Sequence, residues 1–137
     1  MGFGERPEAA LLTAADHLGD AARLAGSGGC GVLVAVPLTW AAATAVAAMP
    51  RLTDGEGVAL ARAKDELLLR VDREVRERLG DARSLRPAEL VAKAQAALGT
   101  AFASLAAAER PERVAEGLFD LAVWAVVGAE LLEGRGS

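Results

Sequence analysis

The sequence predicts an all-α fold, a compact bundle of about five helices in one domain. Ala occurs 32 times and Leu 20 times in 137 residues, whereas Ile, Asn and Tyr are absent and aromatics reach only 4%. Strong helix formers therefore abound, and the β-branched and aromatic residues that pack strands are scarce. Hydrophobic residues at 53% against 25% charged supply enough apolar surface for a core and exclude a disordered chain. Apolar residues also recur at helical spacing in segments divided by Gly and Pro. At roughly 150 residues per domain the chain holds a single domain, 1–137. Its ends, 1–6 and 134–137, are expected to fray.

The first helix is expected over 7–25. Pro7 suits its first position, and Leu11, Ala14, Ala15, Leu18, Ala21, Ala22 and Ala25 share one face opposite Asp16, Asp20 and Arg23. A Gly-rich linker, 26–31, follows. The linker is followed either by a short strand-like run, Val32 to Val36, or directly by a helix over 37–49; with no partner strand to pair, helix is favoured. Pro37 then opens a helix over 37–49, and Pro50 ends it. Thr53-Asp54-Gly55-Glu56 reads as a capping box for a third helix over 55–79. Leu60, Ala63, Leu67, Val71 and Val75 line its inner face. Its outer face carries the pairs Arg62–Glu66, Glu66–Arg70, Asp72–Arg76, Arg73–Glu77 and Glu74–Arg78 at i, i+4 spacing. Gly80-Asp81 breaks the chain. A fourth helix runs from Pro87 to about 108, with Leu90, Val91, Ala94, Leu98, Ala101 and Leu105 inward, and a fifth spans 111–133. Short connections make such a bundle mostly antiparallel.

Charge and cysteine content remove several function classes. The chain has 15 basic and 19 acidic residues, a net charge of -4. Nucleic-acid binders draw most of their affinity from phosphate neutralisation, and here the cations are scattered among acids, so nucleic acid is not an expected partner. One cysteine, Cys30, can form no intrachain disulfide. The charged residues between Glu5 and Arg23 do not suit a secretory leader. A cytoplasmic protein is the expectation.

Residues Leu24 through Pro50 carry no charge. The segment 31–49 approaches the roughly 20 residues that cross a bilayer, so a small membrane-embedded protein with that span is an alternative. Its Ala-rich composition favours a core helix instead. The fifth helix is apolar all round from Leu121 to Ala129. Such a surface must be covered on every side, either by central placement or by a second copy. Together the two helices lead us to expect a homo-oligomer, with Trp124, Val127 and Leu131 as interface anchors.

Candidates for chemistry are few. Gly26-Ser27-Gly28-Gly29-Cys30-Gly31 matches G-x-G-x-x-G, but a dinucleotide site needs a strand before it. It is read as a linker. His17 is the only histidine and is read as a surface residue. Lys64 falls by wheel position in the apolar arc of Leu60, Leu67, Leu68, Val71 and Val75, where its stem can snorkel. Glu112, Glu116 and Asp120 form one stripe at i, i+4 and i+8 that a hard cation such as Mg²⁺ would stabilise.

The segment Glu116-Gly-Leu-Phe-Asp120-Leu-Ala-Val-Trp124-Ala resembles the last metal-binding helix of the all-α, MazG-like nucleoside triphosphate pyrophosphohydrolases. Glu74-Val-Arg-Glu77 stands where that family has an E-x-x-E pair. Glu116 and Asp120 are four apart rather than three. The resemblance implies a Mg²⁺-dependent pyrophosphohydrolase with Glu112, Glu116 and Asp120 as metal ligands. The residues themselves lead instead to a non-catalytic helical assembly or adaptor protein, needing no cofactor, that self-associates through apolar helices and can take a protein partner.

Overall fold

The computed structural model describes residues 7–28, 31–53 and 58–134, with side chains described for 8–28, 31–50 and 65–134. Five helices follow one another: α1 (Pro7–Gly26), α2 (Gly31–Thr53), α3 (Val58–Ala82), α4 (Pro87–Ala106) and α5 (Pro111–Gly134). Among the described residues there is no strand. The fold is an all-α bundle.

α5 is its axis. It packs most extensively against α2 and α4 and also meets α3, while α1 closes the far side across α2 and α4. The stretch from Leu121 to Ala129 therefore finds its cover within the chain: Leu121, Ala122, Val123, Ala125, Val127 and Gly128 are all buried. Close approach makes this arrangement dense. A Cβ added at Gly117 would meet the backbone of Ala101 on α4, so only glycine permits this α4–α5 contact.

The bounds of two helices depart from the sequence reading, for one reason. α2 starts at Gly31, not at Pro37, and it continues past Pro50 to Thr53, with both prolines inside it. An interior proline costs about 3 kcal/mol in a helix. Keeping the register offsets that cost, because Val34, Leu38, Ala41, Ala45 and Met49 then form one buried row. α3 likewise runs through Gly80-Asp81 to Ala82, which is buried against the core. Of the expected capping box, Thr53 is the last residue of α2, and 54–56 lie outside the described residues.

α3 sits at the edge. Its contact row is narrow, with Leu67, Val71 and Val75 buried and Leu68 and Leu69 exposed. This corrects the wider arc that included Leu68. On its outer face the pair Arg76–Asp72 forms at 3.1 Å, whereas Arg78–Glu74, at 3.3 Å, is half-buried on the side that faces α5. Two cations fasten it to α5 from the flanks: the Arg70 guanidinium lies 4.8 Å from the Phe119 ring centre, and that of Arg78 5.3 Å from Trp124.

The helix ends show their caps. Gly28, with φ of 76°, supplies the left-handed residue after α1, and its N–H donates to the Ala25 carbonyl. Pro87 opens α4, and the Arg86 N–H donates to Glu89 Oε1 at 2.7 Å. After α4 the Ala108 N–H donates to the Leu105 carbonyl and the Glu109 N–H to the Ser104 carbonyl, each at 3.0 Å. That pairing needs a left-handed residue, and Ala108 fills it at φ 56°. An alanine there carries roughly 1–2 kcal/mol of strain that glycine lacks. Ala108→Gly is accordingly expected to raise stability by up to ~1 kcal/mol after the entropy cost of glycine, read by urea denaturation.

Candidate functional site

Two surfaces stand out, an acidic groove and an uncharged helix face. The groove, of about 630 Å³, lies where α3 and α5 diverge near the end of α2. Met49, Pro50, Leu67, Ala115 and Phe119 supply its apolar wall, and Glu66, Arg70, Glu112, Glu116 and Asp120 its polar one. The carboxylate stripe of α5 thus faces one space. It does not gather into a ligand set. Among the described residues no three Asp, Glu, His or Cys side chains are grouped so as to hold a metal ion. Helical spacing explains this, since residues one and two turns apart stand about 6 and 12 Å apart along the axis.

Each carboxylate has local company instead. Arg113 lies 3.6 Å from both Glu109 and Glu116. Glu112 is in the first turn of α5, where a negative charge complements the helix dipole. Asp120 differs. Desolvation by the groove wall raises its pKa, Arg78 draws it back down, and Glu74 and Glu116 raise it further. Its ionised form is therefore disfavoured on folding, so stability falls as pH rises from the ordinary carboxylate range through the raised folded value. Asp120→Asn is expected to melt at or slightly above the wild type at pH 7. The two should melt alike once the pH is low enough to protonate the carboxyl in both states. A clearly lower melting point for the variant at pH 7 would mean that attraction to Arg78 outweighs desolvation.

The other expected site residues are dispersed. Val127 is fully buried inside the bundle, which corrects its reading as an interface anchor: the bundle itself covers it. Trp124 is half-buried, with Arg78 at 5.3 Å and Lys93 at 5.5 Å from its ring centre, and Leu131 is half-buried at the core margin. The side chain of Lys64 lies outside the described residues. The G-x-G-x-x-G run joins two helices, as Gly26 ends α1 and Gly31 starts α2. His17 packs beside Trp40, ring centres 6.3 Å apart and planes 24° from parallel.

The second surface lies on the charge-free helix expected to contribute to self-association, but none of the anchors named for it falls there. Along α2, Val32, Leu33, Val36 and Trp40 are 42%, 54%, 48% and 59% exposed, and Thr39, Ala43 and Ala47 are exposed with them. These positions make one continuous outward stripe without a charged residue. Its polar hydroxyl is already engaged, since Thr39 Oγ1 donates to the Ala35 carbonyl at 2.9 Å. The helix is also long and apolar enough, over Gly31–Pro50, to cross a membrane by length and composition, with less than half of that window buried.

No protein-family model, curated protein or solved structure matches the chain. Its function is accordingly argued from the two surfaces alone.

Proposed function

We propose that the chain is a non-catalytic helical assembly protein that self-associates through α2. The observation that carries this reading is the exposed, uncharged stripe of Val32, Leu33, Val36 and Trp40. Large apolar side chains standing together on a surface gain by association, because each buried square ångström contributes about 25 cal/mol. Among the described residues the α5 carboxylates are not grouped so as to hold a metal ion.

The test is mass in solution. Light scattering after size exclusion is expected to give a concentration-dependent dimer, twice the 14.0 kDa chain mass. Val36→Asp is expected to be monomeric with unchanged far-UV dichroism, since Val36 is half exposed and its replacement leaves the core intact. A wild-type chain that stays monomeric at every concentration overturns the proposal.

A further inference from the structure

The groove between α3 and α5 has the size and the mixed lining of a small-molecule site. Its volume of about 630 Å³ lies within the ~300–1,000 Å³ of such clefts, which set a few polar groups against an apolar wall. Leu67, Ala115 and Phe119 belong to that wall. Four carboxylates, Glu66, Glu112, Glu116 and Asp120, share the space with one cation, Arg70. That cation already occupies an aromatic face, since its guanidinium lies 4.8 Å from the Phe119 ring centre.

The carboxylates of α5 are strung out rather than gathered. Glu112, Glu116 and Asp120 stand at i, i+4 and i+8, about 6 Å apart per step at 1.5 Å per residue. A single small ion cannot touch all three. Ammonium groups joined by three or four methylenes stand about 5–6 Å apart when extended, from single bonds of roughly 1.5 Å. Such a chain matches the pitch of the carboxylates and offers its methylenes to the wall.

We propose that the groove binds a linear aliphatic polyamine, its ammonium groups on Glu112, Glu116 and Asp120 and its methylenes against Leu67, Ala115 and Phe119. Charge complementarity selects this occupant. An anion would meet four carboxylates, and an uncharged chain would desolvate them without return. Asp120 supports the same choice: burial, Glu74 and Glu116 raise its pKa against the pull of Arg78, and an ammonium beside it favours the ionised form. The site uses no residue of the α2 stripe, so it stands apart from self-association.

Titration calorimetry of the full chain with spermidine in dilute buffer tests the proposal. Saturable binding of one spermidine per chain is expected, with magnesium chloride at equal ionic strength binding far more weakly. Phe119→Leu alters no charge, yet it and Glu116→Gln are each expected to weaken binding about two- to five-fold, the worth of one exposed cation contact. Arg70→Gln vacates the Phe119 face and is expected to tighten binding by a similar factor. Arg76→Gln makes the same charge change on the outer side of α3, where Arg76 pairs with Asp72, and is expected to leave binding unchanged. Should far-UV dichroism show Phe119→Leu unfolded, Glu112→Gln at the exposed start of α5 takes its place, with the same weakening expected. Equal tightening by Arg70→Gln and Arg76→Gln would mean a diffuse charge effect and overturns the proposal. So does spermidine that fails to saturate, or magnesium that binds as tightly.

Discussion

Gly117→Val is expected to destabilise the fold by ~3 kcal/mol or more, at or beyond the upper end of ordinary overpacking costs. A Cβ at this position would lie 2.8 Å from the Ala101 Cβ and 2.9 Å from its Cα and N. The last two are backbone atoms of α4 and cannot rotate away. Relief comes only by separating α4 from α5, which would open the most central contact of the bundle. The gain in helix propensity on replacing glycine, up to about 1 kcal/mol, is too small to compensate. Gly99→Ala on α4 is the matched control. Its Cβ would meet nothing within 4 Å, so the variant is expected to gain the propensity term. Gly128 lies between these cases, because its added Cβ would meet only the Leu38 Cδ1 at 3.0 Å and Leu90 Cβ at 3.5 Å. Urea denaturation midpoints at constant slope rank all three.

Leu121→Ala is expected to cost about 3 kcal/mol, within the 2–5 kcal/mol range of buried leucine truncations. Leu121 is fully buried in the middle of the axial helix, so the void is enclosed by α5's neighbours and closes poorly. Set against the 5–15 kcal/mol total typical of natural domains, this is a large share of the stability, and a fall in melting temperature on the order of 10 °C follows. Leu131→Ala, at the core margin, is expected to cost well under half as much. Equal losses at the two positions would contradict the central placement of α5.

Most of the fold was legible because α1, α3, α4 and α5 carry charges that mark their outer faces. Of the inward rows assigned to α1 and α4, Leu11, Ala14, Leu18 and Ala21 on the former and Leu90, Val91, Ala94, Leu98 and Ala101 on the latter are buried, while Ala15, Ala22, Ala25 and Leu105 are only partly so. α2 is different. From Leu24 through Pro50 no charge distinguishes one side from another, so sequence periodicity could not tell the buried row through Val34 and Leu38 from the exposed one through Val36 and Trp40. Its start was misplaced because Pro37 obeys a local rule for first turns, and the burial of Val34 and Ala35 overrode that rule. Val127 was taken for an interface anchor because a helix apolar all round can be covered by its own chain or by another. Composition does not decide between them. The carboxylate stripe was correctly placed on one side of α5, but spacing along a helix does not reveal whether other elements bring further ligands to it.

The narrow seating of α3 has a consequence for how the chain opens. Among its described residues α3 is seated by Leu67, Val71, Val75 and Ala82, and by two cation–aromatic contacts worth roughly 0.5–1 kcal/mol each, far fewer than join α5 to α2 and α4. The native ensemble is therefore layered. Backbone amides of α3 are expected to exchange with solvent faster than those around Leu121, which should exchange only on global unfolding; hydrogen exchange followed by NMR checks this order. An opening of α3 would uncover Phe119 and the inner wall of the acidic groove, making α3 the hinged side of the molecule and α5 its fixed post.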